Sequence, residues 1–141
     1  MEDEELQRIR EKKLRELEAR LLRNRDGEPT VPVHVIPVDE ANFRPLLSQH
    51  PRLVIDFWAE WCGPCRMVGP IIEDLCQEMA GRVSFGKCNT DQNPRLAARF
   101  GISAIPTILL FRDGRLIDRI TGAYPREALK ARIARAYGIS P

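Results

Sequence analysis

The sequence predicts an α/β domain, a mixed sheet with helices on both faces, preceded by a separate charged helix. Three observations carry this. From residue 33 onward, strand-like and helix-like stretches alternate in the order β-α-β-α-β-α-β-β-α. The run Leu53–Trp58 is almost continuously apolar, as a central strand covered on both sides must be. Residues 1–26, by contrast, are almost wholly Glu, Arg, Lys and Leu, and Gly27-Glu28-Pro29-Thr30 ends that block. The chain therefore divides into a charged amphipathic extension with its linker, residues 1–30, and a domain over residues 31–141.

Each element has its own warrant. At about 100° per residue, Leu6, Leu14, Leu17 and Leu21 share one helical face, with Ile9 at its edge. Glu4–Arg8, Glu11–Arg15 and Glu16–Arg20 are i,i+4 pairs in the order that favours a helix. An isolated helix gains little from propensity alone, so this leucine stripe is expected to dock on its own domain, with self-association second. Val33–Ile36 reads as a short strand, and Glu40–Ser48 as a helix opened by Asp39 as N-cap. After the strand Leu53–Trp58 comes a long helix over Gly63–Ala80, which Pro70 is expected to kink. Val83–Cys88 is another strand, and Pro94–Phe100 a short helix with proline in its first turn. Thr107–Phe111 and Arg115–Thr121 flank Asp113-Gly114, a strong hairpin signal, and Arg126–Tyr137 closes the chain as a helix.

With 141 residues the chain can bury one real core. A net charge of +2 is too slight to argue for nucleic acid or an anionic membrane. The opening Glu-Glu-Leu-Gln-Arg-Ile-Arg is similar to charged N-terminal helices of small archaeal nucleic-acid-binding proteins, but the match is short and its acids balance its bases, so no nucleic-acid partner is expected. The acidic amino terminus lacks the apolar stretch of a secretory signal, and no apolar run approaches the length of a bilayer span. The expectation is a cytoplasmic protein with no membrane partner, in a compartment where a disulfide is more often transient than structural.

Residues 58–65 read Trp-Ala-Glu-Trp-Cys-Gly-Pro-Cys, between the apolar strand and the long helix. Two cysteines three residues apart at a helix start can form a small, reversible disulfide, and the helix's positive end favours thiolate at the first. A bare C-x-x-C also fits half a zinc site, which Cys76 and Cys88 would complete. Those two lack a second C-x-x-C spacing and fall in mid-helix and mid-strand, where a free cysteine behaves as a small hydrophobe. The redox reading therefore leads, and it needs no metal or other cofactor. Cys62, at the helix N-terminus, is expected to be the more exposed and more acidic thiol and the attacking nucleophile, and Cys65 the resolving thiol. Asp56 sets a carboxylate inside the apolar strand, where desolvation raises its pKa unless local hydrogen bonds satisfy it. Lys87, taken alone, reads as a strand residue whose ammonium reaches solvent.

These residues and their setting resemble the thioredoxin family over about residues 33–138. The resemblance implies the thioredoxin fold, a mixed five-stranded sheet flanked by four helices, with the N-terminal helix outside it. It implies a redox disulfide between Cys62 and Cys65, Asp56 as a buried general base for Cys65, and Lys87 as the neighbour of Asp56. It also implies that Pro106 is a cis-proline facing the cysteines, although sequence alone favours trans, and that its backbone pairs with an extended substrate. Trp61, Gly63, Pro64, Ala104, Ile105, Gly122 and Ala123 would then form a flat, apolar docking face. The Gly-Pro between the cysteines resembles the reducing members of the family. The resulting expectation is a cytosolic protein-disulfide reductase acting on disulfide-containing proteins and re-reduced by thioredoxin reductase or an equivalent donor. The alternatives are a more oxidising role in disulfide formation or isomerisation, and a binding module in which the N-terminal helix matters more than the thiols.

Overall fold

A computed structural model describes residues 2–25 and 34–140. The chain falls into two compact units, residues 1–30 and 31–141. In the first, α1 (Glu2–Arg25) is one continuous helix. Leu6, Ile9, Leu14 and Leu17 are exposed, and Glu11 and Arg15 pair at 3.7 Å. The side chain of Leu21 lies outside the described residues.

The second unit runs β1 (Ile36–Pro37), α2 (Phe43–Gln49), β2 (Arg52–Trp58), α3 (Gly63–Glu78), β3 (Ser84–Asn89), α4 (Pro94–Arg99), β4 (Thr107–Arg112), β5 (Arg115–Thr121) and α5 (Arg126–Tyr137). The strands form one five-stranded sheet in the order β1-β3-β2-β4-β5. The pairs β1/β3 and β3/β2 are parallel, while β2/β4 and β4/β5 are antiparallel. The predicted element order and the mixed sheet are both present, with β2 at its centre.

Several boundaries shift by one or two residues from the sequence reading, α3 ending at Glu78 and not Ala80, and two elements shift further. The first strand is only Ile36–Pro37, later than predicted, and Val33 lies outside the described residues. The second helix starts at Phe43, because Asp39 caps a turn and not the helix. Its carboxylate accepts from the Ala41 and Asn42 N–H groups at 2.9 and 2.8 Å, and Asn42 takes the N-cap position. A short acid can satisfy a preceding turn as readily as a helix start.

Alternation along β2 sorts its side chains into two cores. Leu53, Ile55 and Phe57 pack with Phe43 and Leu46 of α2 and Leu96 of α4. Val54 points the other way, with Phe85, Ile108 and Leu110, against Val68, Ile72 and Leu75 of α3 and Leu129 and Ile133 of α5. Asp56 follows Val54 by two residues and so shares the face covered by α3.

β3 can lie against the short β1 because residue 86 has no side chain. A Cβ there would come within 2.6 Å of Val38 Cγ2 and 3.2 Å of the Ile36 carbonyl oxygen. Gly86→Ala is therefore expected to destabilise the protein by about 1–3 kcal/mol, the usual range for overpacking a filled site. Urea unfolding checks this, and an unchanged midpoint would show that β1 is free to move away.

Candidate redox site

The chain leaves the sheet at Trp58 and re-enters helix at Gly63, so the C-x-x-C lies on the first turn of α3. Cys62 is the N-cap, with extended backbone, and its Sγ accepts from the Cys65 N–H at 3.2 Å. Pro64 occupies the first turn, where no N–H is required. Cys62 and Cys65 are joined as a disulfide, their Cα atoms 5.3 Å apart.

The expectation that Cys62 is the more exposed thiol concerns the reduced protein; in this disulfide the two residues are almost equally buried. Cys62 is 3 % exposed and Cys65 4 %. Both sit in a small apolar cluster with Ala59, packed against Trp58 and Ile105, so the bond draws the two sulfurs under the same cover. What separates them is the surroundings on each side.

On the front, Cys62 Sγ lies 3.7 Å from the Ile105 carbonyl oxygen, and the Ile105–Pro106 peptide is cis. The Pro106 carbonyl accepts from the Gly122 N–H at 2.9 Å, tying the proline loop to the end of β5. Gly122 has φ +104°, and the Tyr124 ring stands 3.8 Å from where its Cβ would be. Gly63, Pro64, Ala104 and Ala123 are exposed, and Ile105 is half-buried. Trp61 is 70 % exposed, with its indole N–H donating to Asp91 at 2.9 Å. Beside it lies a groove of about 340 Å³ lined by Trp61, Thr90, Ile102, Ser103, Ala104 and Ile105. Besides Trp61, four exposed large apolar side chains of this unit, Met67, Leu116, Ile117 and Tyr124, are absent from the predicted docking face. Met67 was within reach, since it follows Gly63 by four residues on the same helical face.

On the back, a cavity of about 440 Å³ has Asp56, Cys65 and Lys87 among its lining residues. Asp56 and Lys87 are opposite one another in the β2/β3 register, Asp56 buried and Lys87 exposed. Burial pushes the Asp56 carboxyl up to about 7, against a smaller downward pull from the Lys87 charge. Local hydrogen bonds do not settle this carboxylate, because Oδ1 has no partner. The indole N–H of Trp58, two residues along the same strand face, is also buried without one.

Cys76 and Cys88 are free and buried, in the two opposite core layers with the sheet between them. Burial pushes both thiols up, that of Cys88 to about 12. They are placed to be neither nucleophiles nor partners of the C-x-x-C in one metal site.

The model of the thioredoxin family matches residues 34–135. The chain is 41% identical over 95 residues to a thioredoxin of Alicyclobacillus acidocaldarius, covering 67% of this chain and 90% of the relative. A thioredoxin of Synechocystis is 39% identical over 99 residues, covering 70% and 92%. Among solved structures, a mutant thioredoxin from Halobacterium salinarum superposes with a TM-score of 0.72 at 29% identity, over 79% of this chain and 97% of that one.

The Asp56 environment makes stability depend on pH. A carboxyl raised from its unfolded value near 4 to about 7 favours the native state most when protonated. That contribution is complete below about pH 4 and is lost as pH rises through 7, with a size on the order of 4 kcal/mol. Asp56→Asn cannot titrate, so the variant is expected to be the more stable protein above pH 7 and to lose that advantage toward pH 4. Urea unfolding of both oxidised proteins between pH 4 and 8 measures the gap; parallel pH profiles would show that Asp56 is already ionised at low pH.

Proposed function

Because the chain belongs to the thioredoxin family, whose members are protein-disulfide oxidoreductases, we propose that it works as a cytoplasmic protein-disulfide reductase. The observation that carries this reading is the division of surroundings at the disulfide. Cys62 abuts the Ile105–Pro106 backbone on the open, apolar front, and Cys65 lines the cavity that holds Asp56.

In the reduced protein, the Cys62 thiolate attacks one sulfur of a substrate disulfide. A mixed disulfide forms and the first substrate thiolate leaves. The Pro106 segment pairs with the extended substrate backbone, while Trp61 and its groove take an adjacent side chain. Cys65 then gives its proton to Asp56 and attacks Cys62 Sγ, which restores the Cys62–Cys65 disulfide and releases the second substrate sulfur. A carboxyl with a pKa near 7 can accept that proton and return it at neutral pH. Thioredoxin reductase or an equivalent donor supplies the two electrons for the next cycle.

A reducing compartment suits a protein whose other two cysteines are held as thiols. The N-terminal helix, whose leucines are exposed, takes no part in this chemistry.

With a dithiol as electron source, the protein is expected to cleave the interchain disulfides of a test protein such as insulin. Cys62→Ser should fall to the background rate of the dithiol, and Cys65→Ser should accumulate mixed disulfides visible by non-reducing gel and mass spectrometry. Unchanged turnover in Cys62→Ser would sink the assignment of the nucleophile.

A further inference from the structure

The groove beside Trp61 is built largely by the loop that leaves α4, and one side chain from β5 holds the start of that loop. Gly101, with φ +60°, turns the chain out of the helix. Its N–H donates to the Ala98 carbonyl at 3.1 Å, and the Ile102 N–H donates to the Ala97 carbonyl at 2.9 Å. This paired closure satisfies two of the carbonyls that a helix end leaves open. The carbonyls of Phe100 and Gly101 accept instead from the guanidinium of Arg119, that of Gly101 at 3.3 Å. Ile102, Ser103, Ala104 and Ile105 follow directly and line the groove. The Ile105 carbonyl lies 3.7 Å from Cys62 Sγ.

Arg119 is itself anchored. It stands opposite Leu109 in the β4/β5 register, and so shares the sheet face that α2 and α4 cover. Its neighbour Asp118 belongs to the other face, where its carboxylate accepts from Arg132 of α5 at 3.1 and 3.0 Å. Arg132 also donates to the Arg119 carbonyl at 3.2 Å. The backbone that carries Arg119 is thus fastened to α5 on one side of the sheet, while its side chain fastens the groove loop on the other. A planar guanidinium suits this task, because its fork reaches two carbonyls at once.

We propose that Arg119 is a positioning residue for protein substrates. By clamping the Phe100 and Gly101 carbonyls it keeps residues 102–105 in the arrangement that lines the groove, so a substrate polypeptide meets a preformed surface and binding does not have to order the loop. Arg119 lines no part of the groove and touches neither sulfur. Its effect is therefore confined to capture of a polypeptide and leaves disulfide exchange at Cys62 unchanged. A small disulfide with no flanking chain gains nothing from the clamp. The kinetic half of this proposal rests on the reductase reading and on the groove's part in it; the clamping of the loop does not.

Arg119→Met keeps the aliphatic stem and removes the donors. Turnover of insulin with a dithiol as electron source gives kcat and KM for the full chain and the variant. Single-turnover reaction of each reduced protein with hydroxyethyl disulfide, followed by acid quench and thiol alkylation, gives the exchange rate without a polypeptide. The variant is expected to raise KM for insulin at least fivefold, with kcat and the hydroxyethyl disulfide rate both within twofold of the parent protein. In the oxidised proteins, amide hydrogen exchange by NMR should be at least tenfold faster at Gly101 and Ile102 in the variant and unchanged along β2. An unaltered KM overturns the proposal. So does an equal loss with both disulfides, which would place the effect at Cys62 or in the fold as a whole. Unchanged exchange at Gly101 and Ile102 would show that Arg119 does not hold the loop. If the parent protein fails to cleave insulin, the reductase reading and the kinetic half fall together, while the exchange rates still decide the clamp.

Discussion

The site depends on one unfavourable placement, a carboxylate carried into the middle strand of a sheet covered on both faces. β2 lies between β3 and β4, and helices cover both of its sides. Water cannot solvate Asp56 as it would a surface acid, and no hydrogen bond in the structure reaches its Oδ1. The Lys87 ammonium offsets only part of the penalty, since its own end is in solvent. The result is a carboxyl that burial pushes up to about 7, lining the same cavity as Cys65. The cost of that position is what suits the group to the base role proposed for it.

The helix start does the rest by geometry. A spacing of three residues at the N-terminus of α3 allows one cysteine to cap the helix and the other to sit a turn inside it. The cap faces the proline loop; the inner residue faces the cavity. Both residues are almost equally buried while they are joined, so what distinguishes them in this structure is what each side presents. The hydrogen bond from Gly122 to Pro106 connects the proline loop to the end of β5.

Much of this was legible in the sequence. The hairpin strand β5 and the final helix α5 have the predicted limits, because Asp113-Gly114 and a clear helical pattern mark them. Asp56 could be recognised as costly because a lone acid interrupts an apolar run. Less legible was anything that depends on which of two equivalent local solutions the chain takes. Asp39 caps a turn and not the helix, and no local rule decides between the two. The exposures of Cys62 and Cys65 depend on Ile105, which is 43 residues from Cys62. The unpartnered Trp58 indole arises from the packing of α3 over the sheet, which has no pattern in the chain.

The account stands or falls on the ionisation of Asp56. Titrating its side-chain carboxyl by ¹³C NMR in the oxidised protein measures this directly. A midpoint near 7 is expected from its burial beside a single exposed lysine. A midpoint near 4, the value of a solvated carboxylate, would mean that the group is satisfied in the native protein, and it would remove the reason for assigning Asp56 as the base for Cys65.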